Sequence, residues 1–262
     1  MLIDSHCHLD KIDLKPYQDN FATFMQDVSA QQISHLLCIA IDLEAYPAML
    51  EKVANYPNIS VSVGVHPNVH DGHDPSAEEL ICLGQAKKVI AIGETGLDYF
   101  RSEGDLTWQH ERFRQHIRAA KALKKPLIIH TREAKEATLK ILKEERAHEV
   151  GGIIHCFTED WEFAQQVIDI NFYVSFSGIV TFANAKNIQE VATKIPADRY
   201  LIETDSPYLA PVPFRGKPNY PMYVRYVAEC IAKLRDTSFA IIAQESSQNF
   251  NRLFSLSSET PL

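Results

Sequence analysis

Eight short, continuous apolar runs recur along the chain, and most of them end on a side chain capable of binding a metal or a phosphate. The runs cover residues 2–5, 35–41, 59–65, 89–92, 126–129, 152–154, 172–176 and 200–202. Runs this short, and largely β-branched, fit strands buried on both faces. Helical patterns lie between them. Phe113, Ile117 and Ala120 follow i, i+4, i+7 spacing, Leu139 and Leu142 share one side of the next pattern, and Trp161, Ala164 and Ile168 do the same after that. A Pro-rich loop at 207–221 precedes two more helical patterns, at 222–234 and 238–254. Alternating strand and helix predicts a parallel α/β sheet. Eight repeats without a long linker in 262 residues predict one domain, residues 1–262, folded as a (β/α)8 TIM barrel.

In such a barrel the tail ends of the strands form the catalytic face. His6 and His8 follow the first run, and side chains two apart on a strand share a face, so both imidazoles can reach one ion. Glu94 closes the fourth run, and its two oxygens can bridge two cations ~3.5–4 Å apart. His130 and His155 end consecutive runs, whose tails lie close together. Asp205, beside a cation, can bind it and also take a proton from water. Each residue has a plainer reading: a loop histidine, a loop-bonded glutamate, an aspartate capping a turn. The joint pattern on one rim is what points to a pair of divalent ions, Mg²⁺, Mn²⁺ or Zn²⁺.

Other residues read as support. His66 suits a substrate phosphate better than a metal, and Arg132 and Arg215 sit in loops where they can pair with phosphate oxygens. Glu203 shares a face with Asp205 and backs the ligands. Asp4 or Asp10 is placed to orient a ligand histidine. Asp98 reads as a loop cap. Cys7 and Cys156 adjoin ligands but point to the opposite face. The formal net charge of −8 argues against a broad footprint for duplex DNA. It leaves room for an anionic ligand held by bound cations. No run approaches the ~18 apolar residues of a membrane span. Five scattered cysteines without a CxxC pair fit reduced thiols in the cytoplasm. The first residues look like a strand rather than a signal peptide, and nothing marks an obligate protein partner.

Several stretches then fall into a known order. They are Ile3-Asp4-Ser5-His6-Cys7-His8-Leu9-Asp10, Gly64-Val65-His66-Pro67 and Ile92-Gly93-Glu94-Thr95-Gly96-Leu97-Asp98. They continue with Ile129-His130-Thr131-Arg132-Glu133-Ala134, His155-Cys156-Phe157-Thr158, Phe176-Ser177-Gly178, and Ile202-Glu203-Thr204-Asp205-Ser206-Pro207-Tyr208-Leu209 running on to Arg215-Gly216-Lys217. In these stretches the chain resembles the TatD family of metal-dependent deoxyribonucleases, within the wider amidohydrolase-like superfamily. The resemblance implies two ions, one held by His6, His8, Glu94 and Asp205 and the other by Glu94, His130 and His155, with Glu94 bridging. It implies hydrolysis of DNA from a 3′ end, and a recessed site with an acidic net charge favours single-stranded or frayed ends over a rigid duplex. Two departures stand out: Pro218-Asn219-Tyr220-Pro221 replaces the family's usual Arg-Asn-Glu-Pro, and His116 replaces a usual glutamine. The alternative is an amidohydrolase-type hydrolase of an ester, amide or lactone on the same site. A barrel that only binds ranks third.

Overall fold

A computed structural model of the chain describes residues 1–256. Its strands are β1 (Leu2–Cys7), β2 (Ile33–Cys38), β3 (Ile59–Val63), β4 (Val89–Asp98), β5 (Leu127–Arg132), β6 (Gly152–Ile154), β7 (Phe172–Phe176) and β8 (Tyr200–Ile202). They form one sheet in chain order, β1 to β8. The helices that matter below are α1 (Phe21–Ala30), α2 (Tyr46–Val53), α3 (Ala77–Gly84), α4 (Thr107–Leu123), α5 (Lys135–Glu144), α6 (Trp161–Asp169), α7 (Lys186–Lys194), α8 (Val224–Leu234) and α9 (Phe239–Leu253). Parallel strands need crossovers of this kind, because a tight turn can only reverse the chain.

The apolar runs locate all eight strands but misplace the ends of five: β2 and β3 stop at Cys38 and Val63, short of runs that reach 41 and 65. β1, β4 and β5 continue past the aliphatic residues to Cys7, Asp98 and Arg132. His6, Glu94 and His130 therefore lie inside strands rather than after them. The β4–β5 ladder shows why: it continues through Gly96↔His130, Leu97↔Thr131 and Asp98↔Arg132, where backbone pairing persists although the side chains have turned polar. A hydrophobicity pattern reads side chains and cannot see that ladder.

The chain divides into two compact units. One comprises Met1–Cys38, Cys156–Trp161 and Ser175–Leu262, and the other Ile39–His155 and Glu162–Val174. In the first unit β1 pairs in parallel with β2. There α8 buries Val224, Val227, Ala228, Ile231 and Ala232, a stripe at i, i+3, i+4, i+7, i+8. α9 starts where the Ser238 side chain accepts from the Ile241 N–H, the expected N-cap bond. In the second unit β3, β4, β5 and β6 pair in parallel in sequence. α4 packs on β4 and buries Phe113, Ile117 and Ala120 as the spacing predicts. Burial of Phe113 and Ile117 stabilises by roughly 2–3 kcal/mol each. The same helix also buries Gln109, Arg112 and His116.

Candidate metal centre

Each unit carries its own cluster of imidazoles and carboxylate. In the second unit Glu94 is the hub. It is 2% exposed, and its Oε1 lies 2.8 Å from His155 Nε2, 3.2 Å from His66 Nε2 and 3.3 Å from His130 Nδ1. Burial by itself raises a carboxyl pKa. Here the imidazoles of His155, His66 and His130 overcome it and hold Glu94 well below the carboxylate range. Two glycines permit this packing. Gly93 has φ 144°, and a Cβ there would lie 2.6 Å from the Ile128 carbonyl oxygen. A Cβ on Gly96, at φ 133°, would lie 2.0 Å from the His130 carbonyl oxygen. Only glycine fits both the dihedral and the gap.

A hydrogen-bonded relay stands behind the hub. His130 Nε2 lies 3.1 Å from Asp98 Oδ2, leaving Nδ1 to face Glu94. The same Asp98 oxygen accepts from the Asn68 side-chain amide at 2.9 Å, while Oδ1 accepts from the N–H groups of Phe100 and Arg101. Burial raises the Asp98 carboxyl, but His130, Asn68 and the Arg101 N–H outweigh it and hold it well below its ordinary value. His130 responds in the opposite sense. Burial lowers its pKa, and Asp98 with Glu94 more than reverse that. His66 Nδ1 accepts the Asn68 N–H at 3.0 Å, so a neutral His66 carries its proton on Nε2 and presents a donor. Burial lowers the His66 pKa, against the pull of Glu94.

The cluster of the first unit is smaller. His6 Nε2 and His8 Nε2 lie 3.3 Å apart, and Asp205 Oδ1 is 3.5 Å from the first and 3.3 Å from the second. Backbone pairing sets this geometry. The Asp205 N–H donates to the His6 carbonyl at 2.9 Å, and the His8 N–H to the Ser206 carbonyl at 2.8 Å. Asp205 adopts φ 56°, a left-handed conformation that aspartate tolerates better than most side chains. Asp4 Oδ1 accepts from the N–H groups of His6 and Thr204. Asp4 thus grips the backbone of β1 and of the segment after β8. It does not orient an imidazole, because its oxygens are taken by main-chain N–H groups and the Thr204 hydroxyl.

The donor sets suit a divalent cation. Atoms of His6, His8 and Asp205 lie within 4.8 Å of one another, as do atoms of His66, Glu94 and His130. Imidazole nitrogens crowding one carboxylate oxygen are what a Zn²⁺, Mn²⁺ or Mg²⁺ ion takes as ligands. The other sequence candidates fall as follows. Glu203 is fully buried and its Oε1 accepts the Cys156 N–H at 2.7 Å. Cys7 Sγ donates to the Leu37 carbonyl, and Cys156 Sγ lies 3.2 Å from Ser177 Oγ. Arg132 stacks its guanidinium on the Phe100 ring, 3.9 Å from the centroid. Arg215 lies over Phe182 at 4.4 Å.

Comparison with known proteins decides the family. The family described as TatD related DNase matches residues 3–255. The chain belongs to the TatD family. It is 45% identical over 254 residues to an uncharacterized metal-dependent hydrolase, YcfH, of Escherichia coli K12, covering 97% of this chain and 95% of that one. It is 42% identical over 257 residues to another, YabD of Bacillus subtilis, at 97% and 99% coverage. Among solved structures, the TatD homolog YjjV of Escherichia coli K12 superposes with a TM-score of 0.88 at 26% identity, covering 98% of each chain. This TatD chain is accordingly a metal-dependent hydrolase by family, with the (β/α)8 barrel class of fold. No helix among its described residues is long and apolar enough to cross a membrane.

Sequence reasoning missed two supporting residues, Asn68 and Asn219, and half of the role of a third, Asp98. Asn68 and Asp98 build the relay behind His130. Asp98 does cap its loop, as expected, but its second oxygen faces His130 as well. Its position four residues beyond Glu94 in a strand that does not stop was the available signal. Asn219 is fully buried, and its side-chain amide donates to the carbonyls of Thr204 and Tyr208 at 2.8 and 2.6 Å, on either side of Asp205.

Proposed function

We propose that this chain is a two-ion phosphodiesterase that removes nucleotides from the 3′ ends of single-stranded or frayed DNA in the cytoplasm. The observation that carries the reading is the Glu94 carboxylate, held ionised in a buried site by three imidazoles. One ion is assigned to His6, His8 and Asp205, and one to Glu94, His130 and His155. Bound there, divalent ions would supply Lewis acidity and would lower the pKa of a water molecule toward neutral.

The remaining work falls to the protein. Asp205 accepts the proton of the attacking water. The His66 Nε2–H donates to a non-bridging phosphate oxygen, and the guanidinium groups of Arg132 and Arg215 pair with the phosphate as charge develops. Glu203 holds the backbone at Cys156, the residue after His155. The formal net charge of −8 favours a strand end over a rigid duplex. All five cysteines are free thiols, in keeping with a reducing compartment.

Purified protein with Mg²⁺ or Mn²⁺ should shorten a 5′-labelled single-stranded oligonucleotide stepwise. Metal analysis of Asp205→Asn should show one ion lost and one kept. Loss of both ions from Glu94→Ala would give Glu94 the bridging place that the family resemblance implies.

The competing reading, an ester or lactone hydrolase, draws on relatives that use a carbamylated lysine as the bridge. Two lysines just before β4 and β5 are otherwise engaged: Lys88 Nζ donates to the carbonyls of Tyr56 and Ile59, and Lys125 Nζ to those of Gly84 and Val89. Hydrolysis of aminoacyl esters or lactones by a protein inert to every phosphodiester would nonetheless establish that reading in place of ours.

A further inference from the structure

Phe100 is placed as no core or solubility argument requires. It follows the end of β4, two residues past Asp98, and is 56% exposed. It is also tied down. Its N–H donates to the buried Asp98 Oδ1 at 3.0 Å. The preceding Tyr99 N–H donates to the Arg132 carbonyl at 3.0 Å, and the Arg132 guanidinium rests on its ring. A scattered surface phenylalanine is ordinary. One clamped by two neighbouring strand ends beside a metal cluster is not scattered.

Arg132 supplies the second half of the argument. It lies two residues past His130 on β5, so the two side chains share a strand face. The residue is half-buried, and its guanidinium forms no hydrogen bond or ion pair among the described residues. A half-buried arginine with its planar fork unmatched is open to an acceptor from outside, and phosphate oxygens match that fork in pairs. Beside it, a flat ring with more than half of the residue exposed offers area for a second flat partner. A phosphate joined to a flat heterocycle is a nucleotide. A simple ester or lactone carries neither group in that combination.

We propose that Phe100 and Arg132 form a nucleotide subsite, in which Arg132 pairs with a phosphate and Phe100 stacks the adjoining nucleobase. This rests on the phosphodiesterase reading and adds that the substrate is recognised through its base. Every base has a π face, so the subsite is indifferent to sequence. Phe100 is then what separates oligonucleotides from base-less phosphodiesters.

The test compares an oligothymidylate with an equally long abasic deoxyribose-phosphate oligomer, using the metal-loaded parent, Phe100→Ala, Phe100→Leu and Phe100→Trp. Stacking of one base predicts that the ratio of kcat/KM between the two oligomers falls about ten-fold in Phe100→Ala, through KM, and recovers in Phe100→Trp. Fluorescence anisotropy of a labelled oligothymidylate with chelator present should show a matching loss of affinity. Phe100→Leu keeps apolar bulk without a π face and guards against a poorly folded alanine variant. A parent-like ratio in the leucine variant overturns the subsite, and a reduced one supports it. A parent that cleaves neither oligomer overturns the phosphodiesterase reading and the subsite together. A parent that cleaves both, with a ratio unmoved by substitution, overturns the subsite alone.

Discussion

The two clusters use the same kinds of donor group but are held in different ways. Around Glu94, bonds to ring nitrogens do the holding: the Asp98 carboxylate fixes the tautomer of His130, the Asn68 main-chain N–H fixes that of His66, and three imidazoles meet one oxygen. Around Asp205, the main chain does the holding. His6 and His8 are two residues apart on one strand, and reciprocal N–H to carbonyl bonds lock that strand to the segment carrying Asp205. The first arrangement is sensitive to proton placement on a ring nitrogen. The second is sensitive to the path of the backbone. The same donor chemistry can therefore be damaged selectively in two ways, and the predictions below use that.

The largest effect belongs to the hub residues themselves. Glu94→Ala and Asp205→Asn are each expected to lower kcat by about 10³-fold, the range of removing a positioned proton acceptor or charge. Single-turnover cleavage of an oligonucleotide at saturating Mn²⁺ measures this. Parent-like rates in either variant would end the assignment of that cluster to the chemistry.

Next comes a pH effect confined to the second unit. Inside α4, His116 is fully buried, and burial drives its pKa from 6.5 to about 4. Its Nε2 accepts the Val65 N–H at 2.9 Å, and its Nδ1 lies 2.8 Å from the Arg112 carbonyl, so it must be neutral with the proton on Nδ1. Between pH 6.5 and 4 the unfolded imidazole binds a proton that the folded one refuses. Stability is therefore complete above pH 6.5 and falls as the pH drops through that window, by about 3 kcal/mol at most. Val65 immediately precedes His66, so the loss begins beside the Glu94 cluster. Urea denaturation at pH 7 and at pH 4.5 should show a smaller acid loss in His116→Gln than in the parent. Equal losses would show that other groups set the acid limb.

How far the sequence reached follows the same division. Strand existence and order were legible because buried parallel strands leave continuous aliphatic runs, and β6, β7 and β8 match to the residue. The candidate imidazoles and carboxylates at strand tails were legible because a bare imidazole has no place in a packed barrel wall. The continuation of β4 to Asp98 was not, since its residues beyond Ile92 pair by backbone while their side chains look like a loop. Nor was the grip of Asp4 on Thr204, which joins residues 200 positions apart in sequence. His116 stood out only as a departure from a family habit. Its polar ring on a buried helix face is explained by one backbone N–H on another segment.

Asp98→Asn should separate the clusters. An asparagine amide would present N–H toward His130 Nε2 and push the ring proton onto Nδ1, where it faces Glu94 and competes with a cation. Loss of such a supporting carboxylate costs 10–100-fold in metal affinity. Metal titration by calorimetry should show that weakening at one site and none at the other. ¹⁵N resonances of His130 should report the change of tautomer. Equal weakening at both sites would mean that Asp98 acts through general destabilisation.

The smallest expected effect tests the backbone-held cluster. Asn219 and Pro221 are the buried residues of the altered Pro218-Asn219-Tyr220-Pro221 stretch, and Asn219 brings a polar side chain into the interior. Its amide nitrogen bridges the carbonyls of Thr204 and Tyr208, while its Oδ1 accepts the Tyr220 N–H at 3.0 Å. Asn219→Ala leaves those buried groups unmatched and should cost about 2 kcal/mol by urea denaturation. It should also weaken the ion at Asp205, because the turn that sets the left-handed Asp205 backbone loses its brace. Asn219→Asp is the sharper variant. It keeps an acceptor for Tyr220 but turns a carboxylate oxygen toward two carbonyl oxygens, so it should destabilise more than alanine does. If aspartate proved as good as asparagine, the amide bridge would not be what holds the turn, and the backbone pairing of His8 and Asp205 would have to hold it unaided.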